Sequence, residues 1–154
     1  MKRDYDTFNN VVRLPHKYAA GRTFTQFYNG LKEGRIYGTS CPSCNMTFVP
    51  ARSSCPQCQK NLDTSVEVSQ QGEVVSWVYS DKEFFGMPGK PPVVIALIKL
   101  DGTDCNLLHL LGGFDTTSPE SVGSVIRKGA RVEAVWNDER KGHILDIKYF
   151  APLS

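Results

Sequence analysis

The sequence has no apolar run long enough to cross a bilayer: the longest, Val93 to Ile98, falls far short of the roughly 20 residues a spanning helix needs. Its opening residues, MKRDYDTFNN, hold no hydrophobic signal core, so a cytoplasmic protein without a membrane partner is expected. Low-complexity tracts are missing too, which excludes extended disorder. No glycine-rich phosphate loop, HExxH helix or paired-carboxylate constellation is present, and histidine is scarce: His16, His109 and His143 are the only three. The remaining enzyme arrangement would pair a cysteine nucleophile with a histidine base. Cys105 and His109 lie four apart and so on one face of a strand, too far along it for a direct hydrogen bond. Free cysteine is usually buried, so a binding protein rather than an enzyme is expected.

Charge of one sign is not in excess either. The net value is +2, with nine Lys/Arg against four Asp/Glu in residues 1–64 and nine against twelve in residues 65–154. The second half is therefore mildly acidic, which counts against a broad phosphate-backbone track on it. At 154 residues and 40% apolar composition, the chain is one ordinary soluble domain, or a small domain leaning on a larger one.

Four of the five cysteines stand in two CxxC pairs, Cys41-Pro42-Ser43-Cys44 and Cys55-Pro56-Gln57-Cys58, ten residues apart. Two residues between paired cysteines let both sulfurs turn onto one metal, and a second pair completes a four-thiolate tetrahedral cage. Such pairs in an intracellular chain bind metal more often than they form disulfides. Iron also accepts four thiolates, which keeps rubredoxin-like electron transfer as an alternative. A closed cage with no other redox motif beside it favours one structural zinc ion. Asn45, just after the first pair, tolerates the left-handed conformation such turns require.

Along the chain, residues 1–20 read as an irregular arm. Phe24, Phe27, Tyr28 and Leu31 then fall at helical spacing, with Thr23 and Gln26 as a capping box and Gly34 as the stop. Residues 35–64 form the metal module, with Ile36, Tyr37, Phe48 and Val49 as short strand pieces. Thirty residues cannot bury enough surface alone, so the metal supplies the missing stability. Ser65–Tyr79 reads as one long strand, bulged or bent at Gly72 and able to serve two sheets. A turn-rich loop, 81–92, leads into Val93–Leu100, and Cys105–Leu111 returns as a hairpin. Ser118-Pro119 begins a short helical turn, and Ala130–Trp136 and His143–Phe150 end the chain as strands. The expected architecture is mainly β: an N-terminal arm and helix (1–34), a metal ribbon (35–64) and a five-stranded OB-type barrel (65–154). An SH3-like barrel or an open five-stranded sheet fits the same strand count.

The run FTQFYNGLKEGRIYGTSC into the first knuckle, VPARSSCPQC at the second, the glycine of QQGEVVSWV, and the ending KGARVEAVW then ILDIKYFAP resemble the DUF35 family. The resemblance covers roughly residues 21–152. It departs at Asn45, where relatives often carry glycine, and at Ala51, where they often carry a second proline. It implies a rubredoxin-like zinc ribbon plus an OB fold, and a non-catalytic accessory protein of acyl-CoA metabolism partnered with thiolase-type enzymes. Archaeal members look like scaffolds joining acetoacetyl-CoA thiolase to hydroxymethylglutaryl-CoA synthase, and related members support aldolases and hydratases of steroid side-chain breakdown.

Two aromatic sets remain. Trp77 and Trp136 read as barrel core, although OB barrels also bind single-stranded nucleic acid through aromatic platforms in a basic groove, the alternative function for this chain. Phe84, Phe85 and Met87 at the tip of loop 81–92 read as an apolar patch for a partner or an acyl or pantetheine chain. Lys82, Lys90 and Lys99 would then meet CoA phosphates.

Overall fold

A computed structural model describes residues 8, 14–15 and 17–153. Most of the expected arm, His16 included, lies outside the described residues; those of the arm that are described form no helix or strand.

Helix α1 spans Gly21–Glu33. It starts two residues before Thr23, its N-cap Ala20 provides no side-chain hydrogen bond, and the expected capping box does not form. Thr23 is instead a first-turn residue. The stop is as the sequence indicates: Gly34 is left-handed (φ 76°) and donates to Leu31 O, while Arg35 N–H reaches Gly30 O at 2.8 Å. Those two bonds make a Schellman closure. Phe27 and Leu31 are buried, Tyr28 half so, and Phe24 stays exposed, so the apolar face meets the core along a narrower stripe than its spacing suggested.

The metal module is a three-stranded sheet in the order β2-β1-β3, with β1 Tyr37–Cys41, β2 Met46–Phe48 and β3 Thr64–Glu67. The long strand expected over residues 65–79 is therefore two strands. Its beginning, β3, pairs with β1, and after a break at residues 68–70 the chain restarts as β4, Gln71–Ser80. One run does serve two sheets. The bulge sits between Val74 and Ser76 rather than at Gly72. Gly72 has a different reason to be glycine: a Cβ there would collide with the carbonyl of Lys99 on the neighbouring strand.

Strands β4, β5 (Val93–Leu100), β6 (Leu107–Leu111), β7 (Arg131–Trp136) and β8 (Ile147–Pro152) close a barrel in the order β4-β5-β6-β8-β7. This is the OB arrangement, with helix α2 (Pro119–Val125) crossing between the third and fourth barrel strands. Ser118 caps α2, its hydroxyl accepting from Ser121 N–H at 3.1 Å. The barrel interior holds Val74, Val94, Ile98, Leu107, Val132, Ile147 and Phe150, and α1 lays Phe27 and Leu31 on the same core. Trp77 and Trp136 pack half-buried against it, the Trp136 indole N–H donating to Gln70 Oε1 at 2.7 Å.

The last strand begins later than its alternation suggested. His143 caps a 3-10 turn at Ile144–Asp146 in place of the expected strand start. Asp146, 5% exposed, accepts from the N–H groups of Lys141, Gly142 and His143 at 3.0, 2.6 and 2.9 Å. Three donors converging on one carboxylate fold the chain inward there and exclude an extended ladder.

Candidate functional site

Two places in the fold carry chemistry. At the first, the sulfurs of Cys41, Cys44, Cys55 and Cys58 lie within 4.8 Å of one another. Strands β1 and β2 bring the first pair to a hairpin tip, and a Ser54–Asn61 bridge closes the second loop. The residue after each pair is left-handed: Asn45 (φ 52°), as the sequence suggested, and Gln59 (φ 59°), whose equivalent position was the available signal. Cys41 Sγ and Cys58 Sγ are 3.6 Å apart. A zinc–sulfur bond of about 2.3 Å gives a tetrahedron edge of about 3.8 Å, so the cage has the size of a zinc thiolate site and not of a disulfide. Backbone N–H groups of Cys58 and Gln57 hold the Cys55 thiol down at about 7. The Cys44 thiol is pushed up to about 12, chiefly as a hydrogen-bond donor to Cys58; a divalent ion at the centre would displace that proton. The four cysteines are thus positioned to bind one metal ion, as a closed structural clip.

Cys105 lies outside the strands. It lies in the turn before β6, its sulfur accepting from Val49 N–H at 3.0 Å and donating to Val49 O at 3.1 Å. Beside it, Asp104 exchanges two bonds with Thr47: Thr47 N–H to Oδ2 and Asp104 N–H to Thr47 O, each 2.8 Å. The β5–β6 turn is therefore clamped to the metal ribbon. His109 faces another way, its Nε2 on Ile144 O at 3.1 Å and its ring edge-on to Phe150. Sequence reasoning weighed Cys105 and His109 as a pair; the structure gives each a separate task.

The second place is the outer face of β4, β5 and β6. Across the strands, Val78 pairs with Ile95 and Ile95 with Leu110; Ser76 pairs with Leu97 and Leu97 with Leu108. Leu108 is 62% and Val78 56% exposed. A groove of about 230 Å³ runs over this face, bounded by Phe84 and Pro88 of loop 81–92 and by Ile144 and Leu145 of the 3-10 turn. This is the side on which OB barrels receive ligands, between the first-to-second and fourth-to-fifth strand loops. In this groove the lining is apolar but for one histidine, with no lysine or arginine. The one polar side chain in it is His109, 5% exposed, whose Nδ1 meets no hydrogen-bond partner among the described residues. Burial lowers the His109 pKa, and the backbone hydrogen bonds opposing it do not offset that. The ring is therefore neutral near pH 7; with Nε2–H donated to a carbonyl, Nδ1 is an acceptor.

Family models of the ChsH2 rubredoxin-like zinc ribbon and of the ChsH2 C-terminal OB-fold domain match residues 29–63 and 65–137, together more than half of the chain. A crystal structure of a DUF35-family protein of unknown function from Sulfolobus solfataricus is 26% identical, with a TM-score of 0.60 over 86% of this chain and 84% of that one. The chain belongs to the DUF35 family. A solved Ltp2–ChsH2(DUF35) aldolase is 22% identical, with a TM-score of 0.62 over 88% of this chain and 98% of that one, and shares its fold. No match is found among curated proteins.

On this DUF35 chain the residues expected for partner or ligand contact divide. Phe84 lines the groove, whereas Phe85 projects fully into solvent. Met87 is half-buried, and Lys82 and Lys90 are exposed in the same loop. Val78, Ile95, Leu97, Leu108 and Leu110 were missed as a surface. Their signal was β5 itself: a strand apolar on both faces asks for a cover on both.

Proposed function

We propose that the chain is a non-catalytic accessory subunit of acyl-CoA metabolism that docks a thiolase-type enzyme through the aliphatic face of β4, β5 and β6. The observation that carries this is the apolar row Val78, Ile95, Leu97, Leu108 and Leu110, exposed at Val78 and Leu108 and half-buried at the other three, on the side where OB barrels receive ligands. Contiguous exposed apolar patches mark interaction sites, and charged residues are depleted at interface centres. The aldolase named with the ChsH2(DUF35) relative supports an enzyme as the partner. On this reading Phe84 and Phe85 are anchors at the rim, and Lys82 and Lys90 meet CoA phosphates. Hydroxymethylglutaryl-CoA synthase is the second enzyme a bridging subunit would hold. Residues 1–34, 35–64 and 65–154 would serve as arm and helix, zinc-ribbon spacer and docking barrel.

The test is affinity capture from native lysate at low and high salt, with mass spectrometry of bound proteins and ultraviolet absorbance for nucleic acid. A thiolase-type enzyme retained at high salt is the expected result. Nucleic acid that is lost as salt rises, with no acyl-CoA enzyme, would sink the reading.

A further inference from the structure

Two apolar surfaces of this chain face solvent together. One is the groove with its Leu108 wall, 62% exposed; the other is the N-terminal arm, where Phe8 is 89% and Leu14 79% exposed. The turn into α1 directs the second toward the first. Gly21 opens the helix at φ 70°, and a Cβ there would meet nothing within 4 Å, so glycine is required by the backbone and not by space. A left-handed residue at that point sends the arm back along the helix. Tyr18 accordingly reaches Tyr28, in the middle of α1, with their hydroxyls 3.4 Å apart. Tyr28 also abuts the last barrel loop, since a Cβ on Gly142 would lie 3.1 Å from its carbonyl oxygen. Just beyond Gly142, Ile144 and Leu145 form one wall of the groove. The arm is thus held on the stretch of α1 that packs against the groove's Ile144–Leu145 rim.

From Tyr18 it is four residues back to Leu14 and ten to Phe8, about 13 Å and about 33 Å of extended chain. A domain of about 100 residues has a radius of gyration of about 13 Å, so Phe8 can reach any point on this side of the barrel. Of residues 8–14 only Arg13 is charged, which suits a groove lined without lysine, arginine or carboxylate. We propose that the arm of the same chain folds over this groove while no enzyme is docked, seating Phe8 between Phe84 and Leu145, and that the enzyme displaces it on docking. That the covered face is the docking face rests on the reading above; the covering itself does not. A tethered segment acts at an effective concentration in the millimolar range. Burial of one phenylalanine and one leucine then suffices to hold the arm and leaves it displaceable. Until the partner arrives, the arm keeps an apolar face from open solvent.

The experiment uses the full chain, zinc-loaded. A benzophenone side chain is placed at position 8 (Phe8→p-benzoylphenylalanine), the protein is irradiated over a range of dilutions, and cross-linked peptides are read by mass spectrometry. Expected are cross-links within one chain to residues 84–88, 108–110 or 144–145, at a yield independent of concentration. A second series compares wild type with the double variant Phe8→Asp, Leu14→Asp for binding of an apolar fluorescent dye and for affinity to the thiolase-type enzyme recovered by capture. Both residues are exposed, so the fold is retained, and zinc content and circular dichroism verify it. Dye binding should rise, and enzyme affinity should rise about threefold to tenfold, because an arm that covers the groove most of the time reduces the competent fraction. Cross-links that map elsewhere, or only between chains, overturn the covering. Groove cross-links with an enzyme affinity that does not rise overturn the competition. Failure of any enzyme to bind overturns the docking reading alone, and the cross-links then still decide where the arm lies.

Discussion

Replacing Asp146 by Asn tests the link between the last loop of the barrel and the groove. The carboxylate is 5% exposed and takes three backbone donors from residues 141–143. Hydrogen bonds to a charged group contribute about 1.5–3 kcal/mol each. Asparagine keeps one acceptor oxygen but turns an NH₂ toward the remaining donors, so a net loss of about 2–4 kcal/mol is expected. Urea unfolding monitored by Trp77 and Trp136 fluorescence would measure it. The pH dependence supplies an independent check. Burial alone would raise the Asp146 pKa, but the backbone donors of His143, Lys141 and Gly142 outweigh it and hold the folded-state value below that of an unfolded aspartate. A depressed folded pKa contributes stability above the unfolded value, near pH 4, that is lost as pH falls through the folded value. The gap between wild type and Asp146→Asn should therefore be constant from about pH 5 to 7 and shrink below about pH 4. Because the same carboxylate holds Ile144 and Leu145 at the groove, partner affinity should fall as well. An Asn variant within about 0.5 kcal/mol of wild type, with an unchanged acid limb, would refute the argument.

Chelating the metal is expected to dissolve the β2-β1-β3 sheet and deprotect the Thr47 and Val49 amides, which bond to Asp104 and Cys105; amide exchange that stays slow without metal would contradict this. The joint substitution of Phe84 and Phe85 by Ala should leave thermal stability unchanged, since both are exposed, and weaken enzyme capture about tenfold or more; unchanged affinity in titration calorimetry would remove them from the interface. Gly72→Ala should cost about 1–3 kcal/mol in chemical denaturation, because the new methyl meets the Lys99 carbonyl of a paired strand.

The metal centre was legible because its information is local: CxxC spacing fixes what two sulfurs can reach whatever surrounds them. The barrel was legible through strand count and the Ser118-Pro119 helix start. Features decided by distant partners were not. Thr23 and Gln26 have capping-box spacing, yet the helix begins earlier, at Gly21. His143 to Phe150 alternates like a strand, but Asp146 gathers three amides and bends its first half inward. Cys105 looked like the start of an apolar strand and is half of a clamp onto another sheet. Phe84 and Phe85 read as equals in sequence, and only the fold separates a groove wall from a free ring.

Ile36, Val49 and Ala51 of the ribbon share the barrel's core, and hydrogen bonds among the described residues pin the two together at two places. One join is covalent, where β3 runs into β4 with Val68 N–H on Ile36 O at 2.9 Å and Gln70 Nε2 on Gly34 O at 3.0 Å. The other is the Asp104–Cys105 clamp on Thr47 and Val49. A plate pinned at one point swings, whereas a plate pinned at two keeps its bearing. The metal module is thus oriented by the barrel as a bracket is by two bolts. Whatever grips its far side is held at a set distance and angle from whatever lies on the Leu108 face. Loosening the 68–70 connection with extra glycines would leave the Asp104–Cys105 clamp and the shared Ile36, Val49 and Ala51 packing to hold that alignment.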